Sequence, residues 1–350
     1  MRAARLTAFG DPPEFELVEL ADPVPDEGEV VVDVMAAALN RRDPWIWLTP
    51  GYCPLPVTLG SDGAGVVSAV GRGVEAVAPG DEVCINPTLG WGDDETHPTD
   101  AFDILGAPTE GTFAERVVVP TANVAPRPVR LSWEECAALN LSGLTAWRAT
   151  VTCAQAAPGR EILVIGAGGG VASIAVQIAS ALGARVWVTS SSDEKLERAA
   201  ALGAVGGFRY DDPDWPARAR AATGGRGLDA VIDSYGAGGS WEQCLRALRR
   251  GGTLVSYGDT GGDKTTITVA EVYWEWRRVV GTSMGSPREF RAMLDHVRTA
   301  AWRPVIDRIH PLAEIDIAAR RLGEPDRFGK VVLRIGKRQA SRARGRATHT

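Results

Sequence analysis

The stretch that decides the fold is EILVIGAGGGVASIAVQIASALGA, residues Glu161–Ala184. A short apolar strand runs into the glycine turn Gly166–Gly170, and a helix of small and aliphatic residues follows. A helix N-terminus carries unpaired N–H donors and about half a positive charge, and glycine lets a phosphate approach the backbone closely. The stretch therefore predicts the phosphate-binding turn of a dinucleotide domain. Val171 replaces the last glycine of a strict GxGxxG pattern, so an ordinary glycine-rich turn is the alternative.

Strands and helices alternate on the C-terminal side of this turn. Four further apolar runs follow, separated by helical stretches: Arg185–Thr189, Val205–Tyr210, Ala230–Ser234 and Thr253–Tyr257. This alternation predicts a buried parallel sheet. Residues 1–130 instead carry short β-branched runs between Gly and Pro turns, typical of a twisted antiparallel barrel. The predicted fold class is α/β, with a helix at the junction that begins in a capping box of Ser132 and Glu135.

Length and composition exclude several classes of protein. The chain has 350 residues, 45% hydrophobic and 23% charged, which is a globular composition long enough for two domains. Its net charge of −6 disfavours nucleic acid as the main ligand. The 5 cysteines include no CxxC pair, which predicts neither a disulfide framework nor a thiolate zinc cluster. No apolar run reaches the roughly 20 residues of a membrane helix, and no signal peptide is recognisable. We therefore expect a cytoplasmic protein without a membrane partner.

The residues that follow the second apolar run bear on the choice between NADH and NADPH. NAD enzymes hold an acidic residue there, which binds the adenosine ribose and repels a 2′-phosphate. Here the position is Ser190, followed by Ser191 and by Lys195, and these hydroxyls and this cation favour a phosphate. We therefore predict NADPH as the cofactor. The acidic pair at 193–194 leaves open that Lys195 is only a solvated surface cation.

A set of short motifs runs in order along nearly the whole chain: Asn40–Asp43, Pro56–Gly65, Pro79–Val83, Gly111–Glu115, Gly143–Trp147, the glycine turn and Phe328–Leu333. Together they resemble the medium-chain dehydrogenase/reductase superfamily, and in particular its zinc-independent, quinone-oxidoreductase-like branch. The resemblance implies a Rossmann doubly wound parallel sheet plus a GroES-like β-barrel catalytic domain. It also implies a homodimer, often formed by pairing of edge strands, here near Thr265–Met284.

These features divide the chain into four parts. Residues 1–132 form the N-terminal part of the GroES-like catalytic domain, and 133–284 form the Rossmann NADP-binding domain. Residues 285–336 return to the catalytic domain, and 337–350 form a basic disordered tail with five cations and no acid. A tail of this kind is typical of a solubilising end, and its alternative role is a contact with RNA.

The resemblance also bears on metal binding. In zinc-dependent relatives a Cys, a His and a Cys or Asp hold the catalytic ion, and the matching positions here are Asn40, Ser61 and Leu141. An amide, a hydroxyl and an aliphatic side chain cannot make a zinc site. The structural zinc lobe would need four cysteines between about 85 and 115, and none lies between Cys84 and Cys136. We predict no metal, and we expect residues 88–110 to be either an ordered surface loop or a lid over the substrate.

Without a Lewis acid, oxidation of a simple alcohol is hard because nothing stabilises an alkoxide near neutral pH. Hydride donation to an electron-poor acceptor needs only orientation, hydrogen-bond donors and a proton source. The predicted function is an NADPH-dependent, metal-free reductase of a quinone or an activated α,β-unsaturated carbonyl, a small electrophilic substrate. The alternatives are an enoyl-thioester or carbonyl reductase of a biosynthetic pathway and, in another class, a non-catalytic dinucleotide-binding or RNA-associated protein.

The catalytic candidates lie in and after the first motif. By resemblance, Asn40 hydrogen-bonds near the nicotinamide ribose or the acceptor oxygen, and Asp43 either caps its turn or holds a proton relay. Trp45 stands where many relatives carry a tyrosine, and an indole offers no acidic hydroxyl. With Trp47 and Tyr52 it predicts either an aromatic wall for a planar substrate or ordinary packing.

The cofactor candidates lie at the glycine turn, at the carboxyl ends of strands and at two outlying positions. Thr145 would touch the nicotinamide end. Lys330 would reach a cofactor phosphate, or would simply begin the last strand at the surface. The complete set is Thr145, Gly166, Gly168, Gly169, Gly170, Val171, Ser190, Ser191, Lys195, Tyr210, Ser234, Gly236, Tyr257, Gly258 and Lys330.

Overall fold

The computed structural model describes residues 1–336, so the tail predicted at 337–350 lies outside the described residues. The predicted α/β fold class is confirmed, because a six-stranded parallel sheet adjoins a group of mainly antiparallel strands. Among residues 1–336, no helix combines the length and the apolar content that a bilayer crossing requires.

The N-terminal strands build the antiparallel part. They are β1 (Arg2–Ala8), β2 (Glu14–Glu19), β3 (Glu29–Ala38), β4 (Val57–Thr58), β5 (Asp62–Val70), β6 (Glu82–Ile85), β7 (Thr88–Leu89), β8 (Asp103–Ile104), β9 (Arg116–Pro120) and β10 (Val124–Pro126). One sheet has the order β2-β1-β4, the larger begins β10-β6-β5-β3 with β9 also on β3, and β7 pairs with β8. Helix α1 (Arg42–Trp47) follows β3 and carries the residues next to Asn40.

Strand β3 contributes to two cores because its register shifts near its end. Val30, Val32 and Val34 pack in the barrel core. The pairing with β5 is irregular between Val34 and Ala36, so Ala36 faces the core on the other side of the sheet. This change of face, followed by a short stretch of strand, sets the position from which Asn40 leaves the sheet.

The parallel sheet follows in the chain. Its strands are β11 (Glu161–Val164), β12 (Arg185–Ser190), β13 (Ala204–Arg209), β14 (Leu228–Asp233), β15 (Leu248–Ser256) and β16 (Arg278–Gly281). Its helices are α2 (Trp133–Trp147), which continues into a π-helical turn Arg148–Cys153, α3 (Gly170–Ala181), α4 (Asp193–Ala201), α5 (Trp215–Ala222), α6 (Ser240–Ala247) and α7 (Val269–Tyr273). The order β13-β12-β11-β14-β15-β16 is the Rossmann order, and its chain reversal lies between β11 and β14, where such folds bind their ligands.

The last segment returns to the antiparallel part. It contains α8 (Pro287–Thr299), β17 (Ile306–Pro311), α9 (Ile315–Gly323) and β18 (Lys330–Arg334), and 3₁₀ turns occupy Thr121–Asn123 and Leu312–Glu314. Strand β18 pairs antiparallel with β3 and parallel with β17. The C-terminal strands therefore extend the large N-terminal sheet, while the exact domain bounds given above stay predictions.

Helix α2 packs between the two sheets. Its predicted capping box is confirmed: Glu135 N–H donates to Ser132 Oγ at 3.1 Å, and Ser132 N–H donates to Glu135 Oε2 at 2.7 Å. Cys136, Ala137 and Leu139 are fully buried in a core that α2 shares with α3 and with β3. The residues of α2 that lie one turn further along this face therefore point toward the space between the barrel and the glycine turn.

Candidate active site

A buried ammonium group lies where three segments meet. Lys330 Nζ donates to Asp62 Oδ2 at 2.9 Å, to Ser142 Oγ at 3.1 Å and to Asn40 Oδ1. The Lys330 side chain is 3% exposed and that of Asp62 is fully buried. Asn40 Nδ2 in turn donates to Asp62 Oδ2 at 2.9 Å, and Asn40 Oδ1 accepts from Ser142 Oγ at 3.3 Å. Each ammonium donor thus has an acceptor, which offsets the cost of burying the charge. We call these four residues the Lys330 centre.

The register of the sheet explains why these residues meet. Ala38 at the end of β3 pairs with Asp62 at the start of β5, so Asn40 leaves the sheet beside Asp62. Strand β18 runs antiparallel to β3 on its other side and begins at Lys330. The ammonium therefore reaches the same end of the sheet, although Lys330 is 290 residues away from Asn40 in the chain.

The Lys330 centre also touches the glycine turn. A Cβ on Gly170 would lie 2.7 Å from Lys330 Cδ and 3.4 Å from Ser142 Oγ. Glycine at the first position of α3 thus makes room for the lysine stem. The surface alternative for Lys330 is wrong because the side chain is buried. Its ammonium has other partners than a cofactor phosphate in this structure, and contact with a phosphate stays a prediction.

Asp43 caps the turn that follows Asn40. Its Oδ2 accepts the Asn40 backbone N–H at 2.7 Å, and its Oδ1 has no partner in the described part of the chain. Burial raises the pKa of Asp43 to about 6, although this hydrogen bond and the charges of Arg42 and Lys330 act in the opposite direction. The contacts match the predicted cap, and the raised pKa lets this carboxyl group hold a proton at mildly acidic pH.

The three aromatic candidates have two different environments. Trp45 is 49% exposed, and its ring meets that of Tyr52 edge to face with 4.7 Å between centroids. Trp47 is buried in the barrel core against Phe15, with 6.1 Å between centroids. Trp47 is therefore a packing residue, and only Trp45 and Tyr52 present aromatic surface outside the core.

The residues at the positions of the zinc ligands do not fit a catalytic zinc. Asn40 accepts from the Lys330 ammonium, and Ser61 Oγ is buried without a partner among residues 1–336. Leu141 offers an alkyl side chain, and its backbone N–H donates to Asp62 Oδ1 at 2.6 Å. Zinc sites in proteins consist of thiolate, imidazole and carboxylate ligands. An ammonium hydrogen-bonded to both Asn40 and Asp62 would repel a divalent cation placed between them.

The glycine turn fits the pyrophosphate of a dinucleotide. Gly166 has a φ of +75°, in the left-handed region that favours glycine. Helix α3 begins at Gly170, so its N–H donors face the turn. A Cβ on Gly168 would lie 3.0 Å from the Arg327 carbonyl oxygen and 3.3 Å from Lys195 Nζ, and glycine keeps this space open. Lys195 thus adds a cation beside the helix N-terminus.

The end of β12, where the adenosine ribose is expected, holds no carboxylate. Ser190 is buried, its Oγ accepts the Ser192 N–H at 3.2 Å, and Ser191 is exposed. Lys195 Nζ donates to the Pro325 carbonyl oxygen. Burial, followed by repulsion from a neighbouring arginine, lowers the pKa of Lys195. The lysine is therefore partly enclosed beside the turn and is not a freely solvated cation.

A further cation at this end was not among the candidates. Arg209, the last residue of β13, lies 2.6 Å from Asp211 and 3.6 Å from Asp193, measured between nitrogen and oxygen atoms. Tyr210 follows it and is 48% exposed. The signal was present in the sequence, because Arg209 precedes Tyr210 at the end of the third apolar run. Arg209 is placed to neutralise either these carboxylates or a phosphate.

The carboxyl ends of β14 and β15 carry four more candidates, Ser234, Gly236, Tyr257 and Gly258. Asp233 organises the first end: its Oδ1 accepts the Tyr235 N–H at 3.0 Å, and its Oδ2 accepts the Gly236 N–H at 3.1 Å. Burial raises the pKa of Tyr257 to about 12, so its hydroxyl stays protonated. These groups lie at the edge of the sheet where a dinucleotide is expected.

The predicted nicotinamide end contains a strained residue that the sequence did not indicate. Met284 follows β16 with a φ of 56°, and it is 3% exposed. Its Sδ lies 3.9 Å from Oγ1 of Thr145, which is one helical turn after Ser142 on α2. A non-glycine residue in the left-handed region marks a local cost that the surrounding structure imposes.

The chain matches two family models. Residues 26–129 match the alcohol dehydrogenase GroES-like domain, and residues 170–299 match the zinc-binding dehydrogenase model. It is 35% identical over 337 residues to a zinc-type alcohol dehydrogenase-like protein of Schizosaccharomyces pombe, with 93% of this chain and 94% of that protein covered. It is 32% identical over 263 residues to quinone oxidoreductase 1 of Escherichia coli, with 74% and 73% covered.

A solved structure is also similar along nearly its whole length. The crystal structure of an NAD-dependent alcohol dehydrogenase superposes with a TM-score of 0.91 at 42% sequence identity. The match covers 96% of this chain and 100% of that one. The fold and the arrangement of the two sheets are therefore those of a group of nicotinamide-dependent enzymes.

Proposed function

The chain belongs to the medium-chain dehydrogenase/reductase superfamily and is an oxidoreductase, and on this premise we propose that it is an NADPH-dependent reductase that works without a metal ion. The proposed acceptor is a quinone or an activated α,β-unsaturated carbonyl, as in the quinone-oxidoreductase-like branch. The observation that carries the proposal is the Lys330 centre. Its ammonium is bonded to Asn40, one of the positions where zinc-dependent relatives hold their metal.

The Lys330 centre suits an acceptor that has its own electron sink. Oxidation of an alcohol at neutral pH needs a strong Lewis acid or base to stabilise the alkoxide. The three donors of the Lys330 ammonium are occupied by Asp62, Ser142 and Asn40. A quinone or an enone spreads the incoming charge onto its own oxygen, so it needs orientation and a few hydrogen bonds.

The described residues provide that orientation. Bound NADPH supplies the hydride. The glycine turn and the N-terminus of α3 hold the pyrophosphate, and Thr145 with Met284 borders the nicotinamide. Trp45 and Tyr52 lie in contact with one another, so their rings give a planar acceptor a surface to stack on. The chain thereby positions the two reactants.

The choice of NADPH rests on the end of β12. Ser190 and Ser191 carry hydroxyl groups where a carboxylate would repel a 2′-phosphate. Lys195 and Arg209 bring two cations to the same region, the first beside Gly168 and the second at the end of β13. Charge-assisted hydrogen bonds from such groups are stronger than neutral ones and select a phosphate over a ribose hydroxyl.

A double variant tests the cofactor. Ser190→Asp combined with Lys195→Ala adds a repelling carboxylate and removes a cation. We expect the preference for NADPH over NADH, measured as the ratio of kcat/KM values, to fall about tenfold or more, which corresponds to about 1.4 kcal/mol. Lys264→Met, at an exposed lysine outside the described site, is the matched control and should leave the ratio unchanged. An unchanged ratio in the double variant would contradict the NADPH proposal.

The acceptor is tested by following NADPH absorbance against quinones, enones, enoyl thioesters, simple ketones and alcohols. We expect turnover of quinones or enones and none of simple alcohols, with less than about 0.1 zinc per chain by elemental analysis and no effect of chelators. Stoichiometric zinc with chelator-sensitive alcohol oxidation would refute the metal-free reductase. Turnover confined to thioesters or ketones would select the corresponding alternative.

We also propose a homodimer formed through β16. Within residues 1–336, this strand is the last of the parallel sheet and pairs with β15 on one side only. Trp274 and Trp276, which precede it, are 63% and 65% exposed. A free strand edge beside exposed aromatic rings favours association with a second copy. Light scattering should give twice the monomer mass, and Trp276→Glu should shift it toward the monomer.

A further inference from the structure

A buried arginine outside the Lys330 centre connects three segments of the chain. Arg148 directly follows α2 and is 6% exposed. Its Nη1 donates to Glu289 Oε2 at 2.7 Å and to the Glu95 carbonyl oxygen at 3.0 Å. Its Nε donates to Thr282 Oγ1 at 3.1 Å, and its Nη2 donates to the Thr96 carbonyl oxygen. Four of the five guanidinium N–H groups therefore have protein acceptors.

The first connected segment is the loop of residues 88–110. The Arg148 guanidinium lies over the ring of Trp91, 5.0 Å from its centroid. The Glu95 side chain gives a second attachment, because its Oε2 accepts from Ser286 Oγ. Backbone carbonyls, an aromatic ring and a carboxylate thus fix this loop to the end of the parallel sheet. These contacts favour the ordered surface loop over the lid.

The second connected segment runs from β16 into α8 and contains Met284. Arg148 holds Thr282 on one side of Met284 and Glu289 on the other. Glu289 is itself ordered by Ser286, whose N–H donates to its Oε2 at 2.9 Å. Met284 is therefore fixed at both ends in its left-handed conformation, against Thr145. The third segment is the end of α2, from which Arg148 comes.

We propose that Arg148 is a positioning residue for hydride transfer, which holds Met284 at the nicotinamide end of the cofactor site and fixes the 88–110 loop against the segment that contains Met284. The inference rests on the proposed function in one respect, the placement of the nicotinamide beside Thr145. It does not depend on the choice between NADPH and NADH. It also assigns one cause to two features, the strain at Met284 and the docking of the loop.

Arginine suits this position better than lysine. A planar guanidinium offers donors in several fixed directions, and here they reach a carboxylate, a hydroxyl and two carbonyl groups at once. The ammonium of a lysine at this position could bond the Glu289 carboxylate, but it could not reach all of these partners. Arg148→Lys should therefore keep the ion pair and lose part of the positioning, whereas Arg148→Met should lose both.

The first test distinguishes an effect at the nicotinamide end of the cofactor from an effect at its adenosine end. It measures kcat with the active acceptor, and the affinity for a fragment without nicotinamide, which is 2′,5′-ADP for NADPH or ADP for NADH. A misplacement of the reactants by about 1 Å can cost about a hundredfold in rate. We expect Arg148→Met to lower kcat at least about thirtyfold, Arg148→Lys to lower it less, and the fragment affinity to stay within about threefold in both.

The second test follows the loop without any turnover. Glutamyl endopeptidase cleaves after Glu95, whose backbone is held by Arg148 in the wild type. We expect at least about tenfold faster cleavage in Arg148→Met and an intermediate rate in Arg148→Lys. Arg185→Met is the matched control, since Arg185 also lies over a tryptophan ring and pairs with a glutamate, far from this site. It should change neither cleavage nor kcat.

The Met284→Gly variant separates the contribution of the Met284 side chain from that of the Arg148 contacts. Glycine adopts the left-handed conformation without strain, so the loop should stay protected while kcat falls because the contact with Thr145 is lost. Three results would each overturn the positioning role. They are an unchanged kcat in Met284→Gly or Arg148→Met, a loop that stays protected in Arg148→Met, and a fragment affinity that falls together with kcat. A wild-type chain that turned over no acceptor would refute the proposed function instead, and the cleavage rates would still decide whether Arg148 holds the loop.

Discussion

Asp43 and Asp229 are both buried carboxyl groups, but their surroundings shift their pKa values in opposite directions. Burial raises the pKa of Asp43 to about 6. Burial also opposes ionisation of Asp229, yet hydrogen bonds from Arg226, from the Glu161 N–H and from Arg249 outweigh it and hold the pKa of Asp229 at about 2. Their exposed fractions are nearly equal, 0% and 3%, but Asp43 lies deeper in the protein, so the depth of burial and the hydrogen bonds both contribute to the difference between their pKa values.

The number of donors that face each carboxyl group also differs. Asp229 accepts from Arg226 at 2.7 and 3.1 Å, from Arg249 at 2.6 Å and from the Glu161 N–H at 2.8 Å. Asp43 accepts one backbone N–H, and its second oxygen has no partner within residues 1–336. A fully compensated carboxylate at the start of β14 stabilises the sheet. An incompletely compensated one beside the Lys330 centre is the kind of group that marks functional sites.

Removing the ammonium should have the largest effect, because it turns a compensated carboxylate of the Lys330 centre into an uncompensated one. Lys330→Met leaves Asp62 buried without its cation. Loss of one partner of a buried ion pair typically costs about 3–5 kcal/mol. We expect a decrease of that size in the free energy of unfolding, measured in urea, and at least about a hundredfold loss of kcat because Asn40 Oδ1 loses the ammonium that fixes it in place.

A double variant separates the loss of stability from the loss of kcat that we expect in Lys330→Met. Lys330→Met with Asp62→Leu removes both charges, and replacing a buried ion pair by apolar residues is often close to neutral. Stability should therefore recover by at least half while kcat stays low. If the single variant unfolds at the same urea concentration as the wild type, the Lys330 centre is not the compensated pair described here.

Asp43→Asn should have the next largest effect, and it should be stabilising. The folded-state pKa of about 6 lies above the ordinary value of 3.8 for an aspartate, so the folded state loses stability as the pH rises through this interval. The loss amounts to at most about 3 kcal/mol at 1.36 kcal/mol per pKa unit. The amide keeps an acceptor for the Asn40 N–H. The variant should match the wild type near pH 4 and exceed it by about 1–3 kcal/mol at pH 7.5, in urea unfolding.

The other charges near Asp43 do not obscure this comparison. Arg42, Lys330 and Asp62 face Asp43 in both proteins, so the variant differs from the wild type only in the carboxyl group of Asp43. A stability difference that is the same at pH 4.5 and pH 7.5 would show that Asp43 has an ordinary pKa.

The sequence predicted the elements whose signals are local. The glycine turn and the capping box of Ser132 and Glu135 each depend on residues within one turn or one strand, and the structure has them at those positions. Five of the six strands of the parallel sheet were recognisable because each is an apolar run between helices. The sixth, β16, was not among the predicted runs, and its residues are mostly exposed.

The Lys330 centre could not be predicted in this way, because its partners are distant in the chain. The sequence assigned Lys330 to a cofactor phosphate, while in the structure its ammonium is bonded to Asn40 and Asp62. Only the pairing of β18 with β3 brings them together. Met284 and Arg148 were missed for a related reason, since no residue type signals a left-handed methionine or the partners of a buried guanidinium.

Asp229→Asn should have the smallest effect, because the three groups that compensate Asp229 still surround a neutral acceptor. The pKa of about 2 lies below the ordinary value of 3.8 for an aspartate, so the ionised carboxylate contributes stability above pH 4 that is lost as the pH falls toward 2. We expect a loss of about 1–2 kcal/mol at pH 7 in urea unfolding, which vanishes in acid. Asp229 lies at the amino end of β14, away from the strand ends that carry the site, so kcat should be unchanged. A fall in kcat as large as that of Lys330→Met would mean that a compensated carboxylate at the opposite end of the sheet also serves the reaction.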